Sequence, residues 1–130
     1  MRVLIVDDSR AMRRIIGRIL GDAGFEVLEA GDGQEAIDVL EAQTQLPTLA
    51  CVDWNMPVMD GLTFVTEVRR RPEWRAITLM MVTTESESDR IVRALAAGAH
   101  EYLIKPFTAD AMVEKLDLLG LLPVSVGEPS

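Results

Sequence analysis

Cys51-Val52-Asp53-Trp54-Asn55-Met56-Pro57-Val58-Met59-Asp60-Gly61 is the stretch whose reading decides the fold. The apolar run at 49–52 stops at one carboxylate, Asp53, and turn chemistry follows it: Pro57, which cannot donate to a strand ladder, and then Asp60-Gly61. One acid therefore closes a buried strand at its carboxyl end. In open α/β sheets, ligands bind in the crevice outside those strand ends. Aspartate is also a common loop residue, so the companions of Asp53 decide its meaning.

Working outward, short apolar runs alternate with helical patterns. Residues 3–6 form a continuous apolar run, as expected of a strand covered on both faces. Ser9 can cap the next helix, whose Met12, Ile15, Ile16, Ile19 and Leu20 recur on one face until Gly21 or Gly24 ends it. Residues 25–30 read as a second strand, Gly31-Asp32-Gly33 as a turn, and Ala36, Ile37 and Leu40 as a second helix; Pro47 introduces the third strand. Beyond the Asp53 loop, Leu62, Val65 and Val68 mark a helix that stops before Pro72. Residues 77–82 give a fourth strand. Ser86 or Ser88 can cap a fourth helix carrying Ile91, Val92, Leu95 and Ala96 and ending near Gly98. Residues 102–104 give a fifth strand, and Met112, Val113, Leu116 and Leu119 a fifth helix. Five strands alternating with five helices predict a doubly wound (βα)5 fold, α/β in class, with a five-stranded parallel sheet and right-handed crossovers.

Composition excludes several functions. The chain has 130 residues, enough for one domain with a real core. Its net charge of −8 argues against a nucleic-acid surface, which needs clustered Lys and Arg. Arg69, Arg70 and Arg71 do cluster, but at a helix end, where cations match the negative pole of the helix. The single cysteine, Cys51, sits within an apolar strand and reads as structural. His100 is the only histidine, has no companion at zinc-ligand spacing, and belongs to no Ser-His-Asp triad. The first residues carry too few apolar side chains for a signal-peptide core, and no run approaches membrane-spanning length. A cytoplasmic protein is expected, with no nucleic-acid or membrane partner.

Superposing the strand ends assembles a constellation. Strand one ends in Asp7-Asp8, strand three in Asp53, strand four in Thr83 and strand five in Lys105. Carboxylates about 5 Å apart repel by roughly 3 kcal/mol per pair at an effective dielectric near 20. Three of them together require cations. Oxygen-only ligands in a site open to water suit Mg²⁺. Lys105 adds a second positive charge and Thr83 a hydroxyl. The set suits the oxygens of a phosphoryl group, with Asp53 as nucleophile.

At these residues the chain resembles the receiver domains of bacterial two-component response regulators, most closely the stand-alone chemotaxis regulators. The likeness runs through Val3-Leu4-Ile5-Val6-Asp7-Asp8-Ser9, Met12-Arg13-Arg14, Asp53 to Gly61, Val82-Thr83, Ala96-Ala97-Gly98-Ala99, Tyr102 and Lys105-Pro106-Phe107-Thr108. It implies the flavodoxin-like strand order 2-1-3-4-5. It implies that Asp53 accepts phosphate from the phosphohistidine of a sensor histidine kinase or phosphotransfer protein. The metal is then held by Asp8, Asp53 and the Asn55 carbonyl, with Asp7 acting through water. Thr83 and Lys105 would contact the phosphoryl oxygens, and the Lys105-Pro106 bond would be cis. Such a protein is a phosphoacceptor that dephosphorylates itself rather than a turnover enzyme. Asn55 and Glu85, two residues beyond Asp53 and Thr83, would tune that self-dephosphorylation, with water access and a short-lived phosphoryl group expected. Thr83 and Tyr102 would form the switch. A downstream protein would dock on helix four, strand five and helix five, with Lys115 and Met112 contributing.

Thr84, Glu101 and the stretch from Gly120 onward depart from the chemotaxis pattern, so the pathway stays open between chemotaxis and another phosphorelay. The domain is expected over residues 1–120, followed by a tail at 121–130, either acting alone or excised from a longer regulator. Aspartate-nucleophile phosphatases of the haloacid dehalogenase type are the enzyme alternative, but they want a second Asp where this chain has Asn55.

Overall fold

A computed structural model describes residues 1–122. Its elements are β1 (Arg2–Val6), α1 (Arg10–Asp22), β2 (Glu26–Ala30), α2 (Gly33–Ala42), β3 (Leu49–Val52), α3 (Gly61–Arg70), a 3-10 turn (Pro72–Trp74), β4 (Thr78–Thr83), α4 (Ser88–Ala97), β5 (Glu101–Ile104) and α5 (Ala109–Leu118). All strand pairs are parallel, in the order β2-β1-β3-β4-β5. The expected fold and strand order are therefore observed, and the Lys105-Pro106 bond is cis.

The period of two along each strand sorts the core into two layers. Leu4, Val6, Ala50, Val52, Leu79 and Met81 face one side, with Phe64 and Val65 of α3 and Ala36, Ile37 and Leu40 of α2. Val3, Ile5, Leu49, Cys51, Met80 and Val82 face the other, with Ile16 and Leu20 of α1 and Met112 and Leu116 of α5. Cys51 is buried among these, and burial pushes its thiol up to about 12, so it is inert at neutral pH. Leu121 and Leu122 pack against this second layer; residues 123–130 of the expected tail lie outside the described residues.

Four helices are capped by side chains: Ser9 accepts from the Met12 N–H, Asp32 from Glu35, Asp60 from Thr63 and Thr108 from Ala111. α4 differs from expectation. Glu87, not Ser86 or Ser88, is its N-cap residue and makes no side-chain cap bond. Its buried residue is Ala94, whereas Val92 is 63% and Leu95 43% exposed. Apolar residues cover so much of this helix that their spacing leaves its rotation undetermined. Small Ala94 takes the contact face with Ile91 and Ala97 packed beside it, and Val92 and Leu95 turn outward. Ile15 of α1 is likewise half exposed.

The three arginines ending α3 do separate work instead of sharing one role at the helix terminus. Arg70 pairs with Glu67; Arg71 pairs with Glu41 and lies over the Trp74 ring. Arg69 reaches across to α4 and β4, donating to the carbonyls of Gly98 (3.0 Å), Arg75 (3.2 Å) and Ile77 (2.9 Å). Its Nη2 also lies 3.3 Å from His100 Nδ1, which accepts the Leu79 N–H at 3.1 Å. Partial burial and then the Arg69 charge hold the His100 pKa below its ordinary value. The folded protein thus keeps His100 neutral while the unfolded chain protonates it near pH 6.5. Stability should fall as pH drops through about 6.5 toward the folded value. In His100→Asn, whose Oδ1 takes the same N–H without titrating, thermal melts between pH 7 and 5 should show a shallower loss. Equal slopes would show that His100 is not a source of the pH dependence.

Candidate functional site

The carboxyl ends of β1, β3, β4 and β5 lie side by side because the sheet is parallel and its central strands are in register. Backbone bonds extend the pairing past the strands: Asp53 N–H donates to the Val6 carbonyl (2.9 Å), and Lys105 N–H to the Thr83 carbonyl (2.9 Å). The site residues are thereby fixed to one rigid edge. Asp7 is buried, Asp8 exposed and Asp53 between them; one carboxylate oxygen from each lies within 4.8 Å of the others.

Lys105 Nζ donates to Asp7 Oδ2 at 2.7 Å and to Asp53 Oδ2 at 3.3 Å, with its side chain only 10% exposed. Asp7 Oδ1 accepts the Ser9 N–H (2.8 Å), so both of its oxygens are engaged. Asp53 Oδ1 accepts its neighbour Trp54's N–H (2.7 Å). One ammonium, bonded to two of the three clustered carboxylates, leaves negative charge that a hard divalent cation neutralises. The oxygen-only donor set and the clustered acids fit Mg²⁺. Asp8, which makes no side-chain hydrogen bond or ion pair within the described residues, is the freest of the three to bind it.

Thr83 is fully buried at the end of β4, and its Oγ1 accepts the Glu85 N–H at 3.3 Å. Glu85 proves to be a hub that spacing did not reveal. Its carbonyl accepts the Tyr102 hydroxyl at 2.6 Å, and its carboxylate accepts from Asn55 Nδ2 at 2.8 Å and faces Arg90 at 3.5 Å. Asn55 and Glu85, expected to leave open flanks, instead meet each other across the mouth. Tyr102 lies inward and is 8% exposed. Burial, then the Glu85 carboxylate, raises its phenol above the ordinary value against the opposing pull of Arg90, so the hydroxyl is protonated and donates. Met112 is fully buried in the second layer and so cannot belong to a docking surface; the helix positions a long side chain inward there. Lys115 is partly exposed and pairs with Glu101 at 2.9 Å.

The loop between Asp53 and α3 carries two backbone constraints. Val58 has φ +69°, with the Met59 N–H donating to the Pro57 carbonyl, a tight turn that is strained for a β-branched residue. Gly61 is buried directly against the Asp53 carbonyl, and its N–H donates to the Trp54 carbonyl at 2.8 Å. A Cβ at Gly61 would overlap the Asp53 carbonyl oxygen. Gly61→Ala should therefore cost about 1–3 kcal/mol, the usual range for overpacking, and shift the Asp53 and Trp54 amide resonances. Wild-type stability with unmoved resonances would show that this contact does not hold the loop.

The protein-family model described as the response regulator receiver domain matches residues 3–117. Chemotaxis protein CheY1 of Helicobacter pylori is 43% identical over 120 residues, covering 92% of this chain and 96% of the relative. The chemotaxis protein CheY homologue of Campylobacter jejuni is 44% identical over 122 residues, covering 92% and 93%. Among solved structures, the chemotaxis protein CheY4 of Vibrio cholerae superposes with a TM-score of 0.83 at 35% identity, covering 90% of this chain and 96% of that one.

Proposed function

The chain belongs to the response regulator receiver family and is homologous to CheY chemotaxis regulators, and on that premise we propose that Asp53 is its phosphoacceptor. Proteins of this kind are signalling proteins rather than classical enzymes; they interact with histidine kinases and downstream targets and bind Mg²⁺ at an acidic pocket. The observation that carries the proposal is Lys105 Nζ bridging Asp7 and Asp53 within a three-carboxylate cluster.

An Asp53 oxygen attacks the phosphorus of a partner's phosphohistidine; the P–N bond breaks, and the imidazole nitrogen keeps the electron pair and takes up a proton. Lys105 is placed to follow the charge from the carboxylate to the new phosphoryl oxygens, and Thr83 to offer its hydroxyl once it turns from the Glu85 N–H. Asp8, Asp53 and the Asn55 carbonyl would hold Mg²⁺, with Asp7 acting through water. When bound, the ion neutralises charge on the transferring group and on the carboxylates. Hydrolysis of the acyl phosphate returns Asp53, at a rate tuned by Asn55 and Glu85.

The output reading rests on Thr83, Glu85 and Tyr102. The Tyr102 ring is already inward and bonded to the Glu85 carbonyl, so drawing Thr83 toward a phosphoryl group would change how firmly that arrangement is held, a population shift rather than a new fold. The responding surface is α4, β5 and α5, where Val92 and Leu95 stand exposed and Lys115 pairs with Glu101. A downstream protein segment would dock there. We place the receiver unit at residues 1–120, with 121–130 as a tail, in the cytoplasm; among the described residues no helix is long and apolar enough to cross a membrane. The pathway this chemistry serves is chemotaxis signalling, with another phosphorelay as the alternative.

Incubation with acetyl phosphate and Mg²⁺ should add one phosphate by intact mass, and Asp53→Asn should take none. Stoichiometric labelling of Asp53→Asn would remove the assignment. Mg²⁺ titration should change the fluorescence of buried Trp54, which adjoins Asp53, and Asp8→Ala should abolish the change; an undiminished response would free Asp8 from its role as ligand.

A further inference from the structure

Arg90 lies early in α4 with its side chain only partly exposed, and it touches neither the carboxylates nor Lys105. Its guanidinium carbon sits 5.5 Å from the centroid of the Trp54 ring, within reach of a cation–π contact. Trp54 is 4% exposed, part of the core, and adjacent to Asp53, so it is a fixed platform. From that platform Arg90 Nε reaches Glu85 Oε1 at 3.5 Å, while Asn55 Nδ2 donates to the other oxygen, Oε2, at 2.8 Å. The backbone of Glu85 is pinned on both sides, by the Thr83 hydroxyl and by the Tyr102 hydroxyl. A carboxylate held at both oxygens, on a backbone held at both polar groups, closes a bridge between the loops after β3 and β4.

We propose that Arg90 is a positioning residue for the Asp53 acyl phosphate: it holds Glu85 in the bridge with Asn55 and so restrains water from the phosphoryl group. This rests on Asp53 being the phosphoacceptor. In the hydrolytic step, water oxygen bonds to phosphorus, the Asp53 oxygen–phosphorus bond breaks with its electron pair returning to the carboxylate, and a proton passes to solvent. Without Arg90 the Glu85 carboxylate keeps only its Asn55 bond, leaves the bridge more often and can then itself orient the attacking water. Glu87 is the competing partner for Arg90, at 3.9 Å from Nε with a side chain 74% exposed; the longer distance and greater exposure make it the weaker one. An ion pair as exposed as Arg90–Glu85 contributes little to fold stability, which separates a positioning role from a structural one.

The test loads native protein, Arg90→Ala, Arg90→Lys, Glu85→Ala and the Arg90→Ala/Glu85→Ala double variant with acetyl phosphate and Mg²⁺. After the donor is removed, loss of the phosphate is followed by intact mass, alongside thermal melts. Arg90→Ala should lose phosphate about 3- to 10-fold faster than native protein with an unchanged Tm, and Arg90→Lys should recover most of the native lifetime. The Arg90→Ala effect should disappear in the Glu85→Ala background. Raising salt should shorten the native lifetime toward that of Arg90→Ala, because exposed ion pairs are screened. A native-like lifetime in Arg90→Ala, or an equal effect without Glu85, overturns the proposal. Failure of native protein to take up phosphate overturns the Asp53 assignment and this proposal with it, whereas normal uptake with an unaltered lifetime overturns this proposal alone.

Discussion

The ammonium of Lys105 between Asp7 and Asp53 is the interaction on which the site depends. At about 3 Å and an effective dielectric near 20, each such attraction is on the order of 5 kcal/mol before desolvation. Two of them draw together residues 98 and 52 positions apart in sequence. Without the ammonium, two little-exposed carboxylates would stand side by side unscreened. The parallel sheet makes the meeting possible by carrying β1, β3 and β5 to one edge, and the residual negative charge makes a cation the natural complement.

A second network lies on that edge and is centred on Glu85. Through its amide, carbonyl and carboxylate it joins Thr83, Tyr102, Asn55 and Arg90. The charge chemistry around Asp53 and the aromatic on β5 are therefore neighbours through one residue. A change in Thr83 reaches Tyr102 through two hydrogen bonds to that one residue. The exposed apolar side chains of α4 sit beside it, on a helix anchored from its far end by Arg69.

Most of this was legible in the sequence, for identifiable reasons. Continuous apolar runs ending in polar residues located β1, β3, β4 and β5, because strands buried on both faces show no alternation. Superposing their ends then brought Asp7, Asp8, Asp53, Thr83 and Lys105 to one edge, and the structure holds them along it. The resemblance to receiver domains supplied the strand order and the cis bond, and it singled out Asn55, Glu85 and Tyr102, which the structure joins by hydrogen bonds. What stayed hidden was long-range or rotational. The orientation of α4 depends on which of several apolar stripes fits α3. The reach of Arg69, the neutral His100 and the Arg90–Trp54 contact depend on distances across the fold that spacing cannot give. Val58 at positive φ carries no sequence signal at all, since Val is among the residues least suited to that conformation.

A phosphoryl group received among the ends of β1, β3, β4 and β5 is the central claim. A crystal structure with Mg²⁺ and beryllofluoride, a phosphoryl mimic, tests that claim most directly. The mimic should be bonded to Asp53, with Lys105 Nζ and the Thr83 hydroxyl on its fluorides and the ion against Asp8 and Asp53. A mimic or an ion seated elsewhere, or Lys105 left paired with Asp7 and turned from the mimic, would contradict it.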